Sequence, residues 1–191
     1  EERFILIDQL ATRSYNLLVR LLEWARAQSK TQFNPEMFDI YHEVMDQVKL
    51  LQEIANSKNI TLENRIINTI IKADKRMFNL IIRNLVSNAI KFAWNKWDSD
   101  KIILSGEVIW KELVISVQDN GIGMYPEQKD SLFQIDKIYS TKWTNNEVWT
   151  WLWLLLCKEF VEKHGGKIRV EQSEPWQGTT IQFSIPIINY Q

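Results

Sequence analysis

The stretch from Asp74 to Phe92, DKRMFNLIIRNLVSNAIKF, constrains the fold of this chain more than any other. Its apolar residues recur at steps of four and three, which predicts one buried stripe of an α-helix: Phe78, Ile82, Leu85, Ala89 and Phe92. A second stripe, about a hundred degrees round the axis, holds Asn84, Asn88 and Lys91. An amide oxygen can ligate Mg²⁺, and an ammonium group neutralises phosphate oxygens. The helix therefore indicates either a site for a polyphosphate and its metal or the solvated edge of an ordinary amphipathic helix.

Composition narrows the classes of function. The chain has 191 residues, 45% of them hydrophobic and 25% charged, which suits a globular protein of one main domain with an appendage. Its net charge of −1 predicts no nucleic-acid partner and no contact of this chain with a membrane surface. The single cysteine, Cys157, excludes an intrachain disulfide, and two distant histidines, His42 and His164, argue against a zinc site. We also expect no signal peptide and no membrane-spanning run.

The order of predicted elements indicates an α+β fold. We expect a two-layer sandwich in which helices cover one face of a mixed, mostly antiparallel sheet, preceded by a long N-terminal helix. Helices are predicted at 1–28, 36–57 (with a start signal at Asn34-Pro35), 74–92 and 152–164, and strands at 60–63, 66–71, 101–109, 113–118, 167–171 and 179–186. Residues 125–146 have few helix or strand signals and suit a functional lid. The expected domains are residues 1–30 and residues 36–191.

A second motif follows the predicted hairpin of 101–118. Asp119 stands at the end of a strand and is followed closely by Gly121 and Gly123. Such a carboxylate accepts hydrogen bonds, and glycines let the backbone approach a flat ligand closely. The adenine amino group is one suitable donor. Alone the motif is weak, because Asp and Gly are common in turns. Its position about thirty residues after the asparagine helix makes it informative.

Together these motifs resemble the catalytic ATP-binding domain of sensor histidine kinases. The resemblance rests on an ordered series of short motifs over residues 36–187: Asn84-Leu-Val-Ser-Asn88-Ala-Ile-Lys91-Phe92, Asp119-Asn-Gly121-Ile-Gly123-Met124, Leu132-Phe133, Thr150-x-Leu152-x-Leu154, His164-Gly165-Gly166 and Gly178-Thr179. Residues 1–28 resemble the second helix of the dimerisation and phosphoacceptor hairpin of the same kinases. The resemblance thus implies a homodimer, a response-regulator receiver domain as partner, and a phosphoacceptor histidine upstream of this chain. It also implies a cytoplasmic location, and whether the parent protein is anchored in the inner membrane stays open.

The resemblance implies a role for each matching residue, with ATP and Mg²⁺ as ligands. Asn88 would hold Mg²⁺, with Asn84 supporting the site, and Lys91 would contact phosphate. Asp119 would accept from the adenine amino group, helped by Thr179. The other expected contacts are Phe92 closing one side of the pocket, Gly121 and Gly123 giving room around the base, Phe133 anchoring the lid, Lys142 reaching the γ-phosphate, and Thr150, Leu152 and Leu154 at the end of the lid.

The chain departs from this family in its tryptophans. Where the family's lid ends in a Gly-x-Gly-x-Gly run, this sequence has Trp149, Trp151 and Trp153. Four further tryptophans lie where turns favour glycine: Trp94, Trp97, Trp143 and Trp176. Replacing these seven would raise glycine from six to thirteen residues, close to the roughly 7% of average usage. One cause fits: a codon, such as UGA, that specifies glycine in the source but is translated here as tryptophan. Trp24 looks ordinary and Trp110 is ambiguous.

Three interpretations of function follow. The first is an ATP-dependent histidine kinase module of a two-component system. The second is a degenerate pseudokinase or scaffold whose altered lid no longer grips ATP. The third is an ATPase of the gyrase, Hsp90 and MutL type, which ranks last because Asn84 stands where those enzymes need an acid to activate water, and an amide cannot act as that base.

Overall fold

The computed structural model describes residues 33–93, 100–133 and 145–187, with the backbone alone at 130–131 and 145–152. The elements, in chain order, are β1 (Glu36–Asp39), α1 (Ile40–Asn56), β2 (Ile60–Arg65), β3 (Ile70–Ala73), α2 (Lys75–Phe92), β4 (Asp100–Ile109), β5 (Glu112–Asp119), α3 (Pro126–Ser131), α4 (Asn145–Lys163), β6 (Ile168–Glu174) and β7 (Gly178–Pro186). The predicted N-terminal helix lies outside the described residues.

Five strands form the main sheet in the order β2-β4-β5-β7-β6. The pair β2 and β4 is parallel, and the other three pairs are antiparallel. Both predicted hairpins, β4–β5 and β6–β7, are present. The expectation of an α+β fold with a mixed, mostly antiparallel sheet and helices on one face is confirmed.

The core lies between the sheet and its helices. Leu113, Ile115 and Val117 of β5 are buried on the face that the helices cover, as the period of two along a strand requires, and Val114 between them is also buried. Helix α2 packs its apolar stripe on this face: the rings of Phe78 and Phe183 lie 6.4 Å apart, centroid to centroid, in an edge-on arrangement. Helix α2 therefore carries its polar stripe along the border of the sheet layer.

Helix α2 begins where the sequence predicts. The Oδ1 of Asp74 accepts hydrogen bonds from the backbone N–H groups of Arg76 and Met77, both at 3.1 Å, and so caps the first turn. The carboxylate is almost fully buried, at 1% exposure. The buried, hydrogen-bonded carboxylate thus fixes the start of α2. The predicted helix at 74–92 agrees with the observed range of α2, Lys75–Phe92.

The prediction of a helix start at Asn34-Pro35 is wrong. Residues 36–39 form β1, which pairs antiparallel with β3, and α1 begins only at Ile40. The cap is Asp39, whose Oδ1 accepts from the N–H of Tyr41 at 2.8 Å. Phe38 is buried in this strand opposite Ile71. A long-range strand pairing outweighs the local start signal here.

Other boundaries differ by a few residues. The strand predicted at 66–71 is β3 at Ile70–Ala73, and the predicted lid opens with the short helix α3. Helix α4 begins at Asn145, seven residues before the predicted start. In the described ranges, none of the helices has the length and apolar character that crossing a bilayer requires.

Candidate functional site

A cavity of about 260 Å³ lies beside the C-terminal half of α2. Its walls come from α2, the end of β5 with the loop that follows, α3, α4 and the β6–β7 hairpin. The lining residues are mostly apolar with a few polar groups: Leu85, Asn88, Ala89, Phe92, Val117, Asp119, Ile122, Gly123, Met124, Tyr125, Gln128, Leu132, Leu154, Pro175, Trp176, Thr179 and Ile181. An apolar cavity with a few convergent polar groups is the usual form of a small-molecule site.

Asp119 is the acidic group of this cavity. Its Oδ1 accepts two backbone hydrogen bonds, from Gly121 at 2.9 Å and from Thr179 at 3.2 Å. Both bonds use the same oxygen, so Oδ2 remains for a donor within the cavity. Burial raises the pKa of Asp119 to about 6, and the Asp100 carboxylate adds to this, although the two N–H donors oppose it. A donor from a ligand would restore the charged form that burial disfavours.

The polar stripe of α2 divides between the cavity and its surroundings. Asn88 lines the cavity, and its buried Nδ2 has no hydrogen-bond partner within the described parts of the chain. Asn84, one turn earlier, does not line the cavity, and its buried Nδ2 likewise has no hydrogen-bond partner within the described residues. Burial raises the pKa of the Cys157 thiol of α4 to about 12, and the nearby Asn84 side chain opposes that shift. Of the two amides, Asn88 is the one in the cavity wall.

Lys91 and Phe92 lie at the end of α2. The Phe92 ring lines the cavity, and the Nζ of the exposed Lys91 lies 5.0 Å from the centroid of that ring. Lys91 is not part of the cavity wall. A lysine side chain at the rim can still place its charge beside a ligand that extends beyond the wall.

The glycines after Asp119 are required by neighbouring backbone. A Cβ on Gly121 would lie 2.3 Å from the carbonyl oxygen of Phe92, and one on Gly123, whose φ is +63°, would lie 1.8 Å from that of Glu174. Between them, Ile122 donates its N–H to Phe92 O and accepts from the N–H of Trp176. The loop is therefore held between the end of α2 and the β6–β7 hairpin.

The remaining predicted residues are distributed as follows. Thr179 lines the cavity, with its Oγ1 2.9 Å from the Oγ of Ser173. Leu154 lines it from α4. The carbonyl of Phe133 accepts from the Nζ of Lys158 on α4 at 3.5 Å. Thr150 and Leu152 lie in the part of α4 where only the backbone is described, and Lys142 lies outside the described residues.

Sequence reasoning missed several lining residues: Ile122, Met124, Tyr125, Gln128, Leu132, Pro175 and Trp176. Four of these seven, from Ile122 to Gln128, follow Gly121 closely in the chain, so proximity to that motif was the available signal. The Pro175-Trp176 pair is brought in by the pairing of β7 with β5, in which Asp119 lies opposite Thr179. Such a contact is not visible in local sequence.

The fold and this cavity define a class of protein: the catalytic ATPase domain of the histidine kinase type. The family model described as histidine kinase-, DNA gyrase B-, and HSP90-like ATPase matches residues 73–189. The chain belongs to this family.

Similar proteins agree with this assignment. The phytochrome-like protein Cph1 of Synechocystis is 38% identical over 119 residues, which cover 62% of this chain and 15% of that protein. The adaptive-response sensory kinase SasA of Synechococcus is 28% identical over 169 residues, 87% of this chain and 43% of that protein. The chain therefore spans less than half the length of these relatives. The solved catalytic domain of histidine kinase ThkA has a TM-score of 0.68 and 25% identity, covering 81% of this chain and 96% of that chain.

Proposed function

We propose that this domain binds Mg-ATP in the cavity beside α2 and transfers the γ-phosphate to a histidine on a helical hairpin of the same protein. The relative SasA is a sensory kinase by name, and the family is one of ATPases. The observation that carries the proposal is a pair of polar atoms of one cavity that have no hydrogen-bond partner among the described residues: the Oδ2 of Asp119 and the Nδ2 of Asn88. They suit opposite ends of a nucleotide.

Asp119 is assigned to the base. Its Oδ2 can accept from the adenine amino group, while Val117, Ile181 and Ala89 supply apolar wall for the ring. Thr179 supports this arrangement in two ways, since its N–H holds Oδ1 of Asp119 and its side chain lines the cavity. With the base in this orientation, adenine presents its 6-amino donor to the carboxylate whereas guanine would present its 6-oxygen, so the site should discriminate between these two bases.

Asn88 is assigned to the metal and phosphate end. Its Nδ2 is buried and has no hydrogen-bond partner in the described residues, and rotation about the terminal torsion would bring the amide oxygen to that place. Bound Mg²⁺ would neutralise phosphate charge. Lys91, at the rim, would add positive charge for the phosphates beyond the cavity wall. Phosphoryl transfer asks mainly for such positioning and charge neutralisation.

The partners follow from the same assignment. We propose a homodimer through the N-terminal helix and a response-regulator receiver domain as the acceptor of the phosphate. One structural neighbour, histidine kinase ThkA, is solved in complex with response regulator protein TrrA. It covers 93% of this chain at a TM-score of 0.73 and 23% identity, so it supports the fold and suggests the type of partner. Phosphate transfer to a receiver domain from the full-length protein tests this part.

The test of nucleotide binding is calorimetric titration of Mg-ATP into Asn88→Ala and Asp119→Ala. Both should lose binding, because each removes a separate contact with the same ligand. Asn79→Ala is the matched control, since Asn79 lies on α2 but donates to Glu43, away from the cavity. If both site variants bind as the unchanged protein does, the assigned cavity is wrong.

A second candidate, the pseudokinase, is favoured by one observation. Trp176 lines the cavity and is 61% exposed, so its indole lies at the rim where a ligand would enter. A chain with this wall should bind Mg-ATP weakly. The ATPase alternative is not favoured, because position 84 holds an amide rather than an acid and does not line the cavity.

A further inference from the structure

Two tryptophans have a backbone conformation that suits glycine. Trp110 has φ of +58° and Trp176 has φ of +66°. Among the described residues, the others with positive φ are Asn59 and three glycines, Gly123, Gly165 and Gly178. Glycine and asparagine are the residues that adopt this region readily, and a bulky side chain there is an outlier. The two tryptophans are the exceptions.

Trp176 occupies the glycine position of a type II turn. The N–H of Gln177 donates to the carbonyl of Glu174 at 3.1 Å, which closes a four-residue turn. Pro175 is the second residue of this turn and Trp176 the third. Proline at the second position and positive φ at the third are the pattern of a type II turn, whose third residue is normally glycine or asparagine. The turn geometry alone therefore predicts glycine or asparagine, and not tryptophan, at position 176.

Trp110 is the first central residue of a hairpin turn. Ile109 pairs with Glu112, so Trp110 and Lys111 form a two-residue loop between β4 and β5. Both common turns of such loops require positive φ at the first central residue, which is therefore glycine, asparagine or aspartate. The Trp110 side chain is 95% exposed, so no burial of the indole offsets the free-energy cost of its positive φ.

A partner-binding surface does not explain both tryptophans. Trp176 lies beside the cavity at the Asp119 end of β5, whereas Trp110 adjoins the opposite end of that strand, at Glu112. Seven residue steps separate those ends, about 24 Å along the strand. A single patch for a partner at the cavity would leave Trp110 unexplained. A cause that acts on glycine wherever it occurs explains both.

We infer that the protein made by its source carries glycine at position 110 and at position 176. The same replacement then applies to all seven positions identified from sequence, of which 176 is one. The chain with glycine at these seven positions and at position 110 is called the glycine form: it has glycine at 94, 97, 110, 143, 149, 151, 153 and 176. A codon that specifies glycine in the source and tryptophan elsewhere supplies the single cause. Glycine has poor helix propensity, so α4 of the glycine form should begin after Asn145, later than in the tryptophan chain.

Glycine at position 176 would also change the cavity, and this consequence rests on the proposed function. Position 176 is part of the cavity wall and exposes its side chain at the rim. Glycine there removes the indole while the backbone N–H that donates to Ile122 remains. Position 176 is thus a determinant of nucleotide access, and the glycine form should bind Mg-ATP more tightly than the tryptophan chain.

The direct test is peptide mass spectrometry of the protein isolated from its source, over the segments that contain positions 110 and 176. Glycine at both is expected, together with the same unusual codon at all eight positions of the gene. Tryptophan at both, encoded by the ordinary UGG codon, would overturn the inference. This result is independent of whether the protein binds ATP.

The physical test uses matched substitutions in the tryptophan chain. Trp110→Gly and Trp176→Gly should each raise the folding equilibrium constant by roughly five- to thirtyfold, the factor associated with left-handed geometry. Trp110→Ala and Trp176→Ala remove the indole but keep a Cβ, so their folding equilibrium constants should stay much nearer to that of the tryptophan chain. Alanine performing as well as glycine would contradict the turn argument. If glycine stabilises and the glycine form still fails to bind Mg-ATP, the proposed function fails and this inference stands.

Discussion

The backbone N–H of Asp74 donates to Nε2 of His164 across the fold, at 2.9 Å. The other ring nitrogen, Nδ1, lies 2.6 Å from the carbonyl oxygen of Phe160. Because Nε2 accepts, the proton of a neutral imidazole is on Nδ1 and is donated to Phe160. The imidazole therefore joins the start of α2 to the end of α4, the two helices that line the cavity at their other ends.

Replacing His164 should loosen this junction. In His164→Leu the N–H of Asp74 loses its bond to the ring, and an unsatisfied buried group of this kind destabilises by about 1–3 kcal/mol. The carbonyl of Phe160 also loses the ring but still accepts from the backbone N–H of residue 164. The measurement is urea unfolding followed by circular dichroism. His42→Leu is the control, because His42 is exposed and pairs only with Asp39 on the surface at 3.1 Å. Equal losses of unfolding free energy in His164→Leu and His42→Leu would refute the role of His164 in joining the two helices.

His164 should also make stability depend on pH. Burial lowers the pKa of His164 below its ordinary value of 6.5, although the Phe160 carbonyl and the Asp74 carboxylate oppose the shift. The unfolded chain then binds the proton more readily than the folded one, so stability is full above 6.5 and falls as the pH drops below it. The guanidinium of Arg76 lies 3.6 Å from the Asp74 carboxylate and weakens the attraction between that carboxylate and a protonated His164. His164→Leu should lack this step of the pH profile, and a profile unchanged by the substitution would contradict it.

Asp119→Asn should stabilise the protein without nucleotide. The folded pKa of Asp119, about 6, is above the ordinary value of 3.8, so stability declines as the pH rises between these values and the penalty is complete above 6. Asparagine keeps an oxygen for the N–H groups of Gly121 and Thr179 but carries no charge. We expect a gain on the order of 2 kcal/mol at pH 7 that disappears below about pH 4. Thermal unfolding at both pH values measures it, with the exposed Asp46→Asn as control.

Two glycine substitutions should differ sharply. Gly123→Ala places a Cβ 1.8 Å from a backbone carbonyl at positive φ, whereas Gly106→Ala meets only the flexible end of Ile66 at 3.0 Å. Left-handed geometry alone costs about 1–2 kcal/mol, and the backbone contact adds to it. Gly123→Ala should therefore unfold at clearly lower urea concentration. Comparable midpoints for the two variants would show that the loop after Asp119 can adjust.

The asparagine helix and the hairpins could be predicted from sequence because their signals are local. Helix α2 has its cap at Asp74 and a regular apolar stripe, so its limits agree with prediction to one residue. In the final hairpin, Gly165-Gly166 precedes the first strand and Gly178 begins the second strand directly after the turn. These features depend on neighbours in the chain.

The sequence-based predictions fail where the structure is determined by contacts between residues far apart in the chain. Strand β1 exists because residues 36–39 pair with β3, more than thirty positions later, and no local pattern reports that pairing. Within the site, Asn84 and Asn88 look equivalent in sequence, yet only Asn88 lines the cavity. Which of the two does so depends on the elements packed around α2, and the local sequence does not report that. The left-handed turn at Trp110 also becomes visible only once the hairpin register is known.

The most direct test of the account is calorimetric titration of the glycine form with Mg-ATP and with Mg-GTP, repeated on its Asp119→Asn variant. Adenine presents an amino donor where guanine presents a carbonyl oxygen, and only the former suits the free Oδ2 of Asp119. The account predicts that ATP binds at least about tenfold tighter than GTP, and that Asp119→Asn removes this preference by weakening ATP. Equal affinity for the two nucleotides, unchanged in the variant, would contradict it.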